Sequence, residues 1–308
     1  MVDIVISEFM DVDAVEELKK DFTVVYDEKL VDNPAELAVL VAECRALIVR
    51  NRTQVRGDLL QNAKNLTTVG RLGVGLDNID TVACKDKNVQ VIPATGANDI
   101  SVAEYVVAGL LMLARGCYDG TEEVLSGAWP RSKQIGGEVY GKTLGLVGFG
   151  SIAREVAVRA KAMGMHLIAY DPFITADSPC WAEYGATLVS LDALVAQADA
   201  ISLHVPLTPD TAYLLNAERI GKMRPGAWIV NSSRGGTVDE KALADALTAG
   251  KLGGAMIDVF EKEPLPANSV LVGVPRCILT AHIAGVTNES NVRVSSLIAQ
   301  KVKEALAR

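Results

Sequence analysis

The alternation of short β-branched runs with helix-like segments is the feature that most constrains the fold of this chain. Within the first 97 residues the apolar runs are "IVIS", "FTVVYD", "ALIVRN", "TTVGRLG" and "VQVIPA", and helical patterns such as "NPAELAVLVAEC" lie between them. Parallel strands need a long crossover connection, usually a helix, so this rhythm is typical of a parallel sheet covered by helices. The sequence therefore predicts an α/β fold with a doubly wound parallel sheet.

A second series of apolar runs starts after a loop between residues 127 and 141. It reads "TLGLVGFG", "HLIAYDP", "AISLHVP", "AWIVNSS", "GAMIDVF" and "CILTAHI", which predicts a second doubly wound parallel sheet. Between the two series, Ser101 and Glu104 fit a capping box that would start a long helix toward Ala114. From about Thr287 the spacing of apolar residues predicts one amphipathic helix.

Composition restricts the classes of function. The chain has 308 residues, 49% of them hydrophobic, which is enough for two domains. A net charge of −8 argues against nucleic acid or an anionic membrane as partner, because such binders need a basic face. The longest apolar run, "YVVAGLLMLA", is about half of the ~20 residues that cross a bilayer, so it predicts a buried helix.

The N-terminal segment and the cysteines fit a cytoplasmic protein. "MVDIVISEFMD" has acids where a signal peptide has a basic segment. The five cysteines are odd in number and scattered, with no CxxC pair, which disfavours both a disulfide framework and a zinc site. We therefore expect a reducing compartment and no metal.

The segment "LVGFGSIAREVA" is the clearest ligand motif. It places Gly148, Gly150 and Ala153 in G-x-G-x-x-A spacing, directly after a predicted strand and at the start of a predicted helix. Such glycines allow a tight turn and let the backbone N–H groups approach a pyrophosphate. The next strand ends at Asp171, where a carboxylate would accept hydrogen bonds from a ribose and repel a 2′-phosphate, so NAD is favoured over NADP. Pro206 follows another strand and is expected to form a wall beside the adenosine half.

Charged side chains follow three consecutive strands of the second predicted sheet. Arg234 follows "AWIVNSS", Asp258 and Glu263 follow "GAMI", and His282 follows "CILTA". Ligands of open parallel sheets bind outside the carboxyl ends of the strands. An imidazole can take or give the proton of an alcohol during hydride transfer, a carboxylate beside it favours its cationic form, and an arginine can bind a substrate carboxylate through two hydrogen bonds.

Each of these residues also has a simpler interpretation. His282 could be structural, Glu263 could be a solvated loop acid, and Arg234 could form a surface ion pair of little value. Their occurrence together beside a dinucleotide motif favours catalysis. His166 and His204 have no such neighbours, and we expect the first to be structural and the second to form at most part of the cofactor wall.

Several of these motifs occur together in one known family. Over nearly its whole length the chain resembles the D-isomer-specific 2-hydroxyacid dehydrogenases, in "RLGVGLDNID", "NDISVAEY", "LVGFGSIAREVA", "YDP", "NSSRGGTVDE", "IDVFEKEP" and "TAHIAG". The resemblance implies Arg234, Glu263 and His282 as the catalytic set, with Glu263 as partner of the proton-carrying His282. It further implies NAD contacts from Ser151 and Ile152 at the pyrophosphate, Asp171 at the ribose, and Ser232, Ser233, Asp258, Ala284 and Gly285 around the nicotinamide.

The same resemblance implies the domain organisation. Residues 1–97 with 286–308 would form a flavodoxin-like substrate domain, into which a Rossmann NAD-binding domain of residues 98–285 is inserted. The backbone of Val74 and Gly75 would bind the substrate carboxylate, with Asn98 at the hinge. A homodimer formed through the helix after Ser101 is implied as well. One departure is Ala281, which stands where the family usually has proline before the histidine, and it puts the geometry of that turn in question.

Arginines in the first domain suggest which hydroxy acid is bound. Arg50 and Arg52 follow a predicted strand, where alternation would put them on one face, and Arg71 and Arg131 lie near the expected cleft. Cations gathered in an acidic protein could select a substrate with a second anionic group, although some of these arginines could equally be surface or structural residues.

We therefore hypothesise a three-carbon 2-hydroxy acid with a terminal sulfonate, phosphate or phosphonate-like group. Within the family, "IVISEFMD" and "IVRNRTQVRG" are most similar to the sulfolactate dehydrogenase branch, with phosphoglycerate dehydrogenases as neighbours. The alternatives are a glycerate or glyoxylate type of reductase, an NAD-sensing binding protein of the corepressor kind, and, less favoured, a formate or phosphite dehydrogenase.

Overall fold

The computed structural model of the chain describes residues 2–117 and 120–307. Contacts divide it into two compact units, one made of Met1–Asn98 and Val286–Arg308 and the other of Asp99–Gly285. Each unit contains one parallel sheet with helices on both faces, so the predicted α/β architecture is confirmed.

The first unit has a five-stranded sheet in the order β2-β1-β3-β4-β5, which is the flavodoxin-like arrangement. Its strands are β1 (Ile4–Ile6), β2 (Val24–Tyr26), β3 (Ala46–Val49), β4 (Thr68–Arg71) and β5 (Gln90–Pro93). The helices between them are α1 (Val12–Lys19), α2 (Pro34–Val41), α3 (Gly57–Asn62) and α4 (Thr81–Asp86), with a short 3-10 turn at Leu30–Asp32. Successive residues of β1 are buried in opposite layers, since Ile4 and Ile6 contact one apolar cluster and Val5 the other.

The second unit has a seven-stranded parallel sheet in the order β12-β11-β10-β9-β6-β7-β8. The strands are β6 (Thr143–Val147), β7 (His166–Tyr170), β8 (Ala186–Leu188), β9 (Ala200–Leu203), β10 (Trp228–Asn231), β11 (Gly254–Ile257) and β12 (Cys277–Leu279). The helices are α5 (Asp99–Arg115), α6 (Thr121–Leu125), α7 (Ser151–Ala162), α8 (Cys180–Tyr184), α9 (Leu191–Gln197), α10 (Ala217–Lys222) and α11 (Glu240–Thr248). The order reverses between β6 and β9, as in a Rossmann sheet.

Two details differ from the sequence predictions. The capping box at Ser101 was wrong, because α5 begins at Asp99 and Ser101 is buried within its first turn. Strand β8 was not predicted, because its three residues are too few to show alternation and only one of them is fully buried.

The predicted last helix, α12 (Asn288–Leu306), is present and belongs to the first unit. Thr287 caps it, accepting from the Ser290 N–H at 3.0 Å while the Ser290 hydroxyl accepts from the Thr287 N–H at 2.9 Å. The helix packs on β4 at Gly70, where a Cβ would lie 2.8 Å from Cγ2 of Ile298. A side chain at position 70 would therefore push the helix off the sheet. Within the part of the chain that the structure describes, no helix is both long and apolar enough to span a membrane.

Candidate active site

The glycine-rich turn between β6 and α7 has two glycines with different requirements. Gly148 has a φ of +84°, and a Cβ there would lie 2.6 Å from the carbonyl oxygen of His204, so the turn itself excludes any other residue. Gly150 has extended backbone, and a Cβ on it would meet no protein atom within 4 Å. Among the described residues no side chain caps α7, so no cap takes up its first N–H groups beside Gly150. This opening fits a pyrophosphate.

The predicted ribose acid lies beside this turn. One oxygen of Asp171 accepts from the Phe149 N–H at 2.9 Å, and the other accepts from the Phe173 N–H at 2.9 Å. Asp171 thus starts a turn before Pro172 and also joins the end of β7 to the glycine-rich segment. Pro206 lies in the loop after β9, where its carbonyl accepts from the Thr211 hydroxyl at 2.6 Å.

Glu263 and His282 meet directly. Nδ1 of His282 lies 2.8 Å from Oε2 of Glu263, and the other carboxylate oxygen accepts from the Phe260 N–H at 3.1 Å. Because an ionised carboxylate only accepts, Nδ1 carries the proton and Nε2 is the nitrogen available for exchange. Both side chains are partly exposed, so a substrate can reach them.

Arg234 lies on the loop after β10, the strand next to β11 in the sheet. Its Nη1 donates to the carbonyl of Ser233 at 2.6 Å. The following residue, Gly235, packs so closely on the loop after β11 that a Cβ would lie 1.8 Å from the Phe260 carbonyl oxygen. The loop of Arg234 therefore touches the loop that anchors Glu263, and glycine at 235 makes this approach sterically feasible.

Asp258 holds the turn that carries His282. It is fully buried, and its carboxylate accepts from the Thr280 hydroxyl at 2.6 Å and from the N–H groups of Ile283 and Ala284, both at 2.8 Å. Its carbonyl accepts from the His282 N–H at 2.8 Å. The family resemblance implies Asp258 near a nicotinamide, but no local pattern in the sequence indicates this anchoring.

The two serines after β10 differ in their hydrogen bonding. The Ser233 hydroxyl donates to Oδ1 of Asn231 at 2.8 Å, whereas the buried Ser232 Oγ has no hydrogen-bond partner among the described residues. A ligand could satisfy Ser232. Asn231 was missed by the sequence analysis, although its amide also donates to the carbonyl of Arg234 at 3.2 Å and so shapes that loop.

The remaining histidines lie in contrasting places. His204 is largely buried beside Ser202, whose hydroxyl lies 2.9 Å from Nε2, and burial lowers the pKa of His204 to about 4, so the ring is neutral. His166 is exposed at the start of β7, on a surface hollow of about 600 Å³ at the amino ends of the strands. This hollow lies at the sheet edge opposite to the catalytic candidates.

The first unit places Arg50 and Arg52 differently from the prediction. β3 ends at Val49, so the alternation argument for a shared strand face was wrong. Arg52 is exposed and paired with Asp32, with Nη1 3.3 Å from Oδ2. Arg50 is half-buried, donating to Oδ1 of Asn291 at 2.8 Å and lying 5.7 Å from the centre of the Phe9 ring.

A buried carboxylate that the sequence did not reveal organises this arginine segment. Oxygens of Glu8 accept from the N–H groups of Arg50 (2.9 Å), Asn51 (3.2 Å), Arg52 (3.0 Å) and Thr53 (3.0 Å). Burial alone would raise the pKa of Glu8, but these backbone hydrogen bonds outweigh it and lower the pKa.

The other substrate candidates lie in loops of the first unit. Val74 and Gly75 follow β4, and Val74 is exposed. Oδ1 of Asn98 is buried without a hydrogen-bond partner in residues 2–117 and 120–307. Arg71 donates through Nη1 to the Leu72 carbonyl at 2.8 Å, and Arg131 is exposed. Within the same described ranges, no group of three or more metal-ligating side chains occurs.

The chain is similar to one known family and to several known proteins. The family described as D-isomer specific 2-hydroxyacid dehydrogenase, NAD binding domain, matches residues 107–284. An (S)-sulfolactate dehydrogenase from Chromohalobacter salexigens is 52% identical to this chain, and the similarity covers 99% of this chain and 99% of that relative. A D-3-phosphoglycerate dehydrogenase from Synechocystis sp. is 41% identical, and this chain spans 54% of that relative's length. A D-lactate dehydrogenase from Aquifex aeolicus, solved with NAD and lactic acid, superimposes with a TM-score of 0.84 at 27% identity, covering 99% of this chain and 96% of the other.

Proposed function

Because this chain belongs to the D-isomer-specific 2-hydroxyacid dehydrogenase family, we propose that Arg234, Glu263 and His282 perform its oxidation of a CH–OH group with NAD. The single observation that supports this assignment most is the 2.8 Å contact between Nδ1 of His282 and Oε2 of Glu263. It leaves Nε2 of a correctly oriented imidazole for the substrate hydroxyl.

The chain's own groups handle the proton and the carboxylate. Nε2 of His282 takes the hydroxyl proton in oxidation and returns it in reduction, and Glu263 stabilises the imidazolium in between. Arg234 binds the substrate carboxylate and polarises the neighbouring oxygen. NAD, when bound, accepts the hydride from the carbon that bears the hydroxyl.

The residues at the glycine-rich turn fit this cofactor. We propose that the N–H groups of Ser151 and Ile152 at the start of α7 hold the pyrophosphate, and the open space beside Gly150 supports this. In the same proposal Asp171 accepts from the ribose hydroxyls, and its charge disfavours a 2′-phosphate. The unpartnered Ser232 hydroxyl is a donor for the nicotinamide end.

We propose a second anionic group on the substrate, a sulfonate or a phosphate. The relative at 52% identity is an (S)-sulfolactate dehydrogenase, and relatives near 41% include D-3-phosphoglycerate dehydrogenases. Of the two candidate arginines, Arg50 is the better one, because its half-buried guanidinium donates to the neutral amide of Asn291 and Glu8 fixes its backbone. Arg52 already has a carboxylate partner in Asp32.

A substrate panel tests this assignment. kcat/KM is measured for sulfolactate, 3-phosphoglycerate, glycerate and D-lactate with wild type, Arg50→Ala, Arg50→Lys and Arg52→Ala. We expect Arg50→Ala to lower kcat/KM by roughly 10–100-fold for sulfolactate and 3-phosphoglycerate, the two acids with a second anionic group. The kcat/KM of Arg50→Lys should lie between those of Arg50→Ala and wild type, and that of Arg52→Ala within about threefold of wild type. A wild-type preference for D-lactate or glycerate, together with an equal loss of kcat/KM for all four acids in Arg50→Ala, would contradict the second anionic group. It would favour a glycerate or glyoxylate type of reductase.

His282→Asn tests the proton assignment. Turnover should fall by roughly 10²–10⁴-fold, because the general acid–base is lost, while the dissociation constant for NAD stays unchanged. If His282→Asn has wild-type turnover, His282 has no part in the mechanism. If the wild-type protein turns over none of the four acids, an NAD-sensing binding protein is favoured instead.

We also infer a homodimer in the cytoplasm. Four exposed apolar side chains lie close together in the sequence, on α6 and the loop that follows it, namely Val124, Leu125, Trp129 and Ile135, and Leu111 is exposed on α5. Such a patch is typical of a protein interface. All five cysteines are free thiols, which suits a reducing compartment.

A further inference from the structure

The turn that carries His282 is strained. His282 has a φ of +55°, in the left-handed region that residues other than glycine adopt at a cost of about 1–2 kcal/mol. The family's usual proline before the histidine would restrict the backbone, but Ala281 has no ring to do so. Hydrogen bonds from the neighbouring elements must therefore hold this turn.

The hydrogen bonds to Asp258 have a fixed direction. Thr280 has a single hydroxyl proton, which it donates to Oδ1 of Asp258 at 2.6 Å. The Tyr105 hydroxyl lies 2.6 Å from the same Thr280 oxygen, so Tyr105 must be the donor in that contact. Burial raises the pKa of Tyr105 to about 12, and the charge of Asp258 acts in the same direction, so Tyr105 keeps this proton at neutral pH.

We propose that Tyr105 and Thr280 are positioning residues for the proton-transfer step. Tyr105 on α5 orients Thr280, Thr280 orients the buried carboxylate of Asp258, and Asp258 holds the N–H groups of Ile283 and Ala284. The imidazole of His282 is thereby kept against Glu263. This inference rests on the proposed function of His282.

The test compares Thr280→Val, which removes the hydroxyl at constant shape, with Thr280→Ser, which keeps it. We expect Thr280→Val to lower kcat about tenfold while the KM and the dissociation constant for NAD change less than about twofold, because only the aligned imidazole is affected. Thr280→Ser should stay near wild type. Tyr105→Phe, which keeps the ring packing, should lower kcat by a smaller factor of about three.

A second readout does not depend on turnover. The chain has only three histidines, so the imidazole signals in an NMR spectrum can be assigned with His166→Gln and His204→Gln variants. Because the contact with Glu263 determines the surroundings of the His282 ring, we expect the His282 signals to change position in Thr280→Val and to keep their wild-type positions in Thr280→Ser.

Three results would overturn the inference. One is a Thr280→Val enzyme with wild-type kcat and unchanged His282 signals. Another is a loss of kcat in Thr280→Ser as large as in Thr280→Val, which would assign the effect to packing of the Thr280 methyl group. The third is a Tyr105→Phe enzyme whose kcat and His282 signals both match wild type. If instead His282→Asn keeps its turnover, the proposed function fails, while the His282 signals of the Thr280 variants still report whether the network positions the ring.

Discussion

At the scale of single residues, the three histidines differ in what their neighbours do to them. His282 has a carboxylate partner, His204 is enclosed beside a serine hydroxyl, and His166 is exposed. An enclosed imidazole without an acidic partner loses its proton more easily than one in water, because burial penalises the charged form. The neutral state of His204 therefore follows from its surroundings.

The low pKa of His204 predicts a pH-dependent stability. Burial lowers the pKa of His204 from 6.5 to about 4. Between about pH 6.5 and about pH 4 the unfolded chain is therefore protonated at this residue, while the folded chain is not. Above pH 6.5 this histidine makes no difference. As the pH falls toward 4 the folded state loses up to about 3 kcal/mol, and below pH 4 the loss levels off.

Chemical denaturation between pH 8 and 4 measures this effect. His204→Gln should lose less stability over that range than wild type, whereas the exposed His166→Gln control should follow the wild-type slope. Parallel curves for His204→Gln and wild type would show that His204 titrates normally in the folded protein.

The residue types of the site could be predicted from the sequence, but the hydrogen bonds that connect them could not. Charged residues after consecutive strands were visible because parallel strands end at one edge of a sheet. The anchoring of Asp258 to residues 280–284 and of Glu8 to residues 50–53 depends on side-chain hydrogen bonds to distant backbone, which no local pattern encodes.

At the scale of elements, the glycine-rich turn links fold and cofactor through two neighbouring glycines. Gly148 is required by its φ of +84° and by the His204 carbonyl 2.6 Å from a would-be Cβ. Gly150 has ordinary backbone and empty space beside it. Gly148 is needed for the backbone conformation of the turn, and Gly150 leaves room for a ligand.

The pair therefore gives a matched prediction. Gly148→Ala should lower the free energy of unfolding by about 1–3 kcal/mol and also weaken NAD binding, since the turn itself is distorted. Gly150→Ala should leave stability within about 0.5 kcal/mol of wild type yet raise the dissociation constant for NAD by roughly tenfold or more. Thermal denaturation and NAD titration by fluorescence measure the two quantities, and equal NAD affinity in Gly150→Ala and wild type would place the pyrophosphate elsewhere.

Element types were predictable and element ends were not. The long β-branched runs gave all five strands of the first sheet and six of the seven in the second, and β8 was lost because it spans only Ala186–Leu188. The start of α5 and the end of β3 were misplaced by a few residues. The second error mattered, because it put Arg50 and Arg52 on a strand face that ends at Val49.

At the scale of the whole molecule, the fold follows from the two series of strands, and the return of α12 to the first unit completes it. Val294, Ile298 and Val302 recur at helical spacing and are buried in the same cluster as Ile4 and Ile6. Such spacing predicts a helix but not the sheet it covers. The sheet it covers is set by complementarity with Gly70, which is a tertiary property.

The apolar patch on the second unit leads to the last prediction, which concerns assembly. Leu125 and Trp129 are 75% and 80% exposed, and burying them in a partner would remove apolar surface that a monomer leaves in water. We expect the wild-type chain of 32.7 kDa to have about twice this mass in light scattering at micromolar concentration. Trp129→Glu should shift the mass to the monomer, because a carboxylate would be buried without a partner.

Val39→Glu is the matched control. Val39 lies on α2 of the first unit and is 72% exposed, so it accepts the same charge outside the proposed interface. This variant should keep the wild-type mass. A monomeric wild type, or a Trp129→Glu chain that keeps the dimer mass, would contradict the interface, whereas unchanged turnover in a monomeric Trp129→Glu chain would show that one subunit contains every group the reaction needs.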